Sequence, residues 1–208
     1  MSDTLGILEM IRQAAIVRLT GATPDVVDLE SRWVISDFLA RSRLWQRTVQ
    51  VPLSPGVVSY AIPGVQTYES MVLMLEASYK SRPLLLSDFP IVTAEDSTPS
   101  SVRLGNDRTL EVYPAPDASI TDNLSVKLAA TILPANENPI PAVIRPYHQA
   151  VLDGVLARMY MIPDKPYTNT RLAPVHQVAY EREISNVRRI VGGGRGRNAL
   201  FVQFAPFA

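Results

Sequence analysis

The chain has 208 residues, 47% of them apolar and 19% charged, with 20 Lys/Arg set against 20 Asp/Glu; that length supports a sizeable core in a globular protein. There is no cysteine, which excludes disulfides and thiolate metal sites. The opening MSDTLGILEMIRQAA has an acidic residue and no basic stretch, so no secretory signal is expected, and no apolar run approaches the ~18 residues of a membrane-spanning helix.

Ile7, Leu8, Ile11, Ala15 and Leu19 recur at helical spacing, and Gly21 is a natural stop. In TGATPDVVD, Thr23 suits a cap, Pro24 the first helical position and Asp25 the positive end of the dipole. This second helix carries Val27, Trp33, Val34 and Phe38 and is expected to stop near Arg43. So short a connection predicts an antiparallel helical hairpin over residues 1–44.

From Trp45 the pattern changes. RTVQVPLSPGVVSYAIP predicts two short strands around a Ser-Pro-Gly turn. YESMVLMLEASYKSRPLLL predicts a long strand, a polar reversal at Ser78–Arg82 and a return. Gly105-Asn106-Asp107 lies between alternating segments and signals a hairpin. NLSVKLAATILP alternates Leu124, Val126 and Leu128 before a continuous apolar stretch. Residues 45–140 therefore form an antiparallel β-lobe, sandwich- or barrel-like.

PANENPIPAVIRPY crosses back to helix. A third helix near Pro146 to Met161 places Tyr147, Val151, Val155 and Met159 on one face, and IPDKPYTNT breaks it. A fourth starts near Thr170, with Pro174 tolerable in its first turn. Tyr180, Ile184, Val187 and Val191 follow at spacings of four, three and four. The fold class is α+β: helical pairs at both ends of the chain form a four-helix bundle, residues 141–191 completing it, with the β-lobe inserted. Residues 192–208 are expected to be a hinge and an extended C-terminal arm.

The search for chemistry finds no active site. His148 and His176 lack the spaced partner of a metal-binding helix, and Asp153 is not a helical neighbour of His148. No Gly-x-Ser-x-Gly elbow is present. GGGRGR lacks the Lys-Ser/Thr ending of a phosphate-binding loop, so Gly192, Gly193 and Gly194 read as a hinge carrying two arginines. Beyond it, Leu200, Phe201, Val202, Phe204 and Phe207 form an apolar run suited to a binding surface. Charge is also asymmetric. Residues 1–144 hold 16 Asp/Glu and 11 Lys/Arg (−5), and residues 145–208 hold 4 and 9 (+5), as fits an acidic partner, nucleic acid, copies meeting head to tail, or simply solvated faces of opposite sign.

LWQRTVQVPLSPGVVSYAIP, RPLLLSDF, LEVYPAPD, LAATILPANENPIP and YHQAVLDGVLARMYMIPDKPYTNTRLAPVHQVAYEREI, in that order, resemble the head-to-tail adaptor proteins of tailed bacteriophages. The chain departs from the pattern at Thr170-Arg171, where acidic residues are expected, and at Tyr167, where tryptophan is more usual. The resemblance implies a structural virion protein of the neck, assembled in the host cytoplasm, with no catalysis and no cofactor. It implies a ring, usually a dodecamer of neighbouring copies, under the portal protein. That ring would extend the channel through which DNA passes without sequence-specific binding, and would present a platform to the tail or nozzle protein, with no membrane involved. In that class the C-terminal arm docks on the portal. Arg195 and Arg197 would meet acidic portal groups, and Leu200, Phe201, Val202, Phe204 and Phe207 would enter grooves between portal subunits. The arm could instead pack on its own β-lobe. Two other functions remain open: a tail-completion or terminator protein on the tail tube, and nucleic-acid binding through Arg182, Arg188, Arg189, Arg195 and Arg197.

Overall fold

The computed structural model describes residues 3–87, 98–106, 108–117, 123–135 and 138–193. Helix α1 spans Asp3–Ile16 and α2 spans Pro24–Ser42. Between them the chain turns at Gly21, whose φ of +86° suits glycine. Pro24 opens α2 and Asp25 sits in its first turn, but Thr23 caps without a side-chain hydrogen bond. Arg43 ends the helix in the left-handed conformation, its N–H reaching the Leu39 carbonyl at 3.0 Å.

Among the described residues eight strands follow: β1 (Gln46–Pro52), β2 (Ser59–Ala61), β3 (Glu69–Tyr79), β4 (Arg82–Pro83), β5 (Leu85–Leu86), β6 (Ser101–Asn106), β7 (Thr109–Tyr113) and β8 (Asn123–Ile132). They form two four-stranded sheets, ordered β1-β8-β3-β4 and β2-β7-β6-β5. Their facing side chains, among them Val51, Met71, Leu110, Val112, Leu124, Val126 and Leu128, make one sealed core. The Gly105-Asn106-Asp107 signal holds: β6 and β7 pair antiparallel, with the Asn106 side chain accepting the Arg108 N–H at 2.9 Å.

Two strand expectations need correction. The segments around Ser54-Pro55-Gly56 are not a hairpin, because β1 pairs with β8 and β2 with β7, in different sheets. The connection is pinned by Tyr60, whose hydroxyl donates to the Val57 carbonyl at 2.7 Å and accepts the Ser54 N–H at 3.2 Å. Gly56 meanwhile donates to Pro116 of the opposite loop at 2.7 Å. The return after Ser78–Arg82 is also short. Only Arg82–Pro83 pairs with β3; Leu85–Leu86 then crosses to the second sheet and runs parallel to β6. The Leu84 N–H still donates to the Ala77 carbonyl of β3 at 2.9 Å, but the Leu85 N–H goes to the Ser100 carbonyl at 3.0 Å and the Ser87 N–H to the Val102 carbonyl at 3.2 Å, which draws the chain into the second sheet.

A 3-10 helix (Ala142–Tyr147) leads into α3 (His148–Tyr160), and α4 spans Ala173–Gly193. All four α-helices contribute to a second core, with Ile7, Ile11, Val34, Phe38, Val151, Val155, Met159, Tyr180, Ile184 and Val187 buried together. Phe38 is central, its ring 5.6 Å from that of Tyr147 and 6.0 Å from that of Tyr180.

Polar contacts join the two cores. The Ser36 hydroxyl donates to the Ile132 carbonyl at 2.7 Å, and Thr131 returns a bond to the Ser36 carbonyl at 2.7 Å. Buried Arg32 donates to the carbonyls of Ala135 and Asn138, at 3.0 and 2.7 Å, holding the chain as it leaves β8. Burial lowers the Arg32 pKa while Asp28 raises it. These contacts explain the change of pattern within β8. Its first half alternates because one face looks outward, whereas Ala129–Ile132 is buried without a break where α2 covers that face. Trp45, at the junction, packs against both cores.

Candidate assembly interface

Helices α2 and α4 are locked together on their inner sides. The Tyr180 hydroxyl donates to Asp37 at 2.9 Å, with the Val34 carbonyl 3.1 Å away. Burial, with Asp37 alongside, raises the pKa of this phenol and keeps it a donor. Arg41 reaches both oxygens of Glu181, with Nη1 2.9 Å from Oε1, and these bonds hold the Glu181 carboxyl below its ordinary value. Where α3 crosses beneath, Gly154 allows close approach: a Cβ there would lie 2.5 Å from Val34 Cγ1 and 3.0 Å from the Tyr180 ring.

The outer sides of the same helices are apolar as well. On α2, Val26, Leu29 and Trp33 follow at i, i+3 and i+7 and form one exposed stripe, Trp33 being 48% accessible. This corrects the grouping of Trp33 with Val27, Val34 and Phe38. Those three are buried, and Trp33 points away from them. On α4, Val175 and Val178 are 61% and 68% accessible and continue along the helix to exposed Arg182 and Arg189. Among the described residues, Arg171, Arg182, Arg188 and Arg189 have no carboxylate within ion-pair distance. Monomeric proteins rarely expose such contiguous apolar surface without a partner for it.

Of the residues singled out from sequence, Gly194, Arg195, Arg197, Leu200, Phe201, Val202, Phe204 and Phe207 lie outside the described residues. Gly192 and Gly193 form the last turn of α4, two residues beyond the expected helix end at Val191. The two histidines are far from equivalent. His148 Nδ1 lies 3.0 Å from the Arg145 carbonyl in the preceding 3-10 helix. His176 Nδ1 lies 2.8 Å from Asp153 Oδ1, and its ring is 5.7 Å from that of Tyr160. The Asp153 partner was hidden from sequence spacing because it sits 23 residues away on α3. A His–Asp pair orients an imidazole but needs a nucleophile to do covalent chemistry. Here the pair ties α4 to α3, and no described hydroxyl is hydrogen-bonded to His176.

The α2 stripe was the feature that periodicity could have revealed. Val26, Leu29 and Trp33 repeat at helical spacing opposite Val27, Val34 and Phe38, so the helix carries two apolar faces, only one of which the core can use.

A family model described as SU10 adaptor protein matches residues 7–200, taking in both helical pairs and the β-sheets. No curated protein matches the chain. The chain belongs to the SU10 adaptor protein family, a family of phage head-to-tail adaptors whose members are structural components of the virion.

Proposed function

We propose that this SU10 adaptor forms a ring, of twelve copies, at the neck of the phage, between the portal of the DNA-filled head and the tail. The observation that carries this reading is the family match over residues 7–200. In it the helical pairs act as a four-helix bundle forming the ring wall. The ring lengthens the DNA channel and gives the tail or nozzle protein its platform, without sequence-specific contact to DNA.

Cyclic assembly requires two unlike patches on each copy, one meeting the other on the next copy. The exposed stripes of α2 and α4 supply two unlike patches, one ending in Trp33 and the other continuing to Arg182 and Arg189. The −5/+5 division of charge along the sequence favours the same head-to-tail arrangement. The arm beyond Gly193 then serves as the portal anchor, with Arg195 and Arg197 toward acidic groups and the phenylalanines toward apolar grooves. Fully burying one Phe contributes ~1.5–3 kcal/mol, while ordering backbone costs about 1–2 kcal/mol per residue. One arm is marginal on these magnitudes, and twelve on a shared ring bind strongly through effective concentration.

The test is co-sedimentation of the full chain, and of a chain ending at Gly194, with isolated portal rings. Binding by the full chain alone supports the arm as anchor. Equal binding by both assigns the arm to another contact. No binding by either removes the portal as the partner.

A further inference from the structure

The outer face of the β1-β8-β3-β4 sheet carries a trough that starts where α4 ends. Its first part is a cavity of about 290 Å³ lined by Arg43, Gln46, Leu75, Glu76, Lys127, Arg188, Val191 and Gly192. A second cavity of about 590 Å³ shares Leu75, Glu76 and Lys127 with it and continues past Ser78 and Ser125 to Leu84 and Leu86. The shared residues make the two cavities one path, from the last turn of α4 across β8 and β3 to the edge of the sheet. The path is open to solvent and mixed in chemistry, with leucines along it and Glu76 and Lys127 between them.

We infer that in the isolated protein this trough holds the chain's own C-terminal segment, residues 195–208. Three observations name that occupant. The first is position: Val191 and Gly192 line the mouth, and α4 reaches Gly193, so the segment leaves the helix at the trough itself. The second is reach. Extended chain covers about 3.3–3.6 Å per residue, so Gln203, eleven residues beyond Gly192, can lie as far as ~35 Å from it. The stretch of β3 from Glu76 to Ser78 takes up only about 7 Å of that at a strand's rise per residue. The third is chemistry. Leu200, Phe201, Val202 and Phe204 lie far enough along the segment to pass the charged mouth of Arg43, Lys127, Arg188 and Glu76 and reach the part of the path lined by Ala77, Pro83, Leu84 and Leu86. A solvent-exposed run with three phenylalanines invites aggregation in a free subunit, and an intramolecular site costs no translational entropy. The trough thus shields the arm until a partner competes for it. The apparent affinity for that partner falls by the fraction of arms so held.

The absence of cysteine makes the test direct. Ser125→Cys in the trough is combined with Gln203→Cys in the arm, and the full-length protein is treated at low concentration with a short bismaleimide. The expected result is an internally linked monomer, formed at least tenfold faster than in an Asp25→Cys/Gln203→Cys control on α2. Thr48→Cys, exposed on the same trough, replaces Ser125→Cys should the latter fold poorly. Adding Leu86→Asp, at a partly exposed position, should cut the linking rate several-fold. Linking no faster than the control overturns the inference, as does linking that appears only between copies and rises with concentration. Portal rings separate this inference from the adaptor reading. Trough linking with no portal binding upholds the first and sinks the second, and portal binding by a chain whose arm never links does the reverse.

Discussion

Helices α2 and α4 meet along a shared seam yet are constrained very differently. Helix α2 is held on two sides: by α4 through Tyr180 and Arg41, and by β8 and the chain after it through Arg32 and Ser36. Helix α4 is tied to α2 and α3 through Tyr180, Glu181 and His176, and its far side carries Val175, Val178, Arg182 and Arg189 into solvent. Both bury one face and expose apolar side chains on the other. The difference teaches that α2 is the fixed element that joins both cores, while α4 presents a basic and apolar flank and delivers the C-terminal segment.

The largest disruption of this arrangement is expected from Phe38→Ala. The ring is fully buried against Tyr147 and Tyr180, and its loss should cost about 3–5 kcal/mol in denaturant unfolding. Loss of under 1 kcal/mol would mean that the seam is not the centre of the helical core. Gly154→Ala is next. A methyl at that position meets the stiff Val34 side chain, so overpacking of about 1–3 kcal/mol should outweigh the gain in helix propensity. Leu in place of Arg32 should cost roughly 1–3 kcal/mol by leaving the Ala135 and Asn138 carbonyls without their donor. A neutral result would show that the crossover chain is held by other contacts.

Acid sharpens the comparison further. Arg41 depresses the folded-state pKa of Glu181 below its ordinary 4.5. The unfolded chain then takes up the proton first as pH falls. The stabilisation is fully present above pH 4.5 and fades as pH drops through the depressed folded value. The pair is substantially exposed, so the effect is small. Thermal unfolding between pH 6 and 3 should show a smaller acid loss in Glu181→Gln than in the unaltered chain; identical slopes would dismiss the pair as a contributor.

The buried face of each helix was legible because 3.6-residue periodicity reports burial directly. Val151, Val155 and Met159 on α3, and Tyr180, Ile184 and Val187 on α4, are buried as their spacing implies. Strand existence was legible from alternation, as in Leu124, Val126 and Leu128. Strand partnership was not. Whether Val49 and Tyr60 face each other across a turn or sit in separate sheets depends on pairings 50 to 80 residues distant, such as Val49 with Val126 and Tyr60 with Leu110. Local turn chemistry cannot encode that choice. Trp33 was misplaced for a related reason: apolarity shows that a side chain wants cover but not whether its own chain provides it. The same ambiguity surrounds the phenylalanines of the arm, which sequence read as apolar without fixing what they meet.

Trp33 gives the smallest expected change in stability and the clearest division between folding and assembly. Its side chain lies outside the core, so Trp33→Ser should alter unfolding free energy by no more than about 0.5 kcal/mol. Val178→Ser, exposed on α4, should behave alike. If the two stripes join neighbouring copies, each substitution removes a large apolar group from an interface, where an aromatic anchor commonly contributes about 2 kcal/mol or more. Assembly onto portal rings, followed by sedimentation, should then weaken at least tenfold for Trp33→Ser while the melting curve stays put. Cooperative assembly multiplies a modest pairwise loss around the ring, so the defect should be steep in protein concentration. Unchanged assembly in both variants would assign the stripes to some other partner, and a large loss of stability would mean that α2 is covered from within the chain after all.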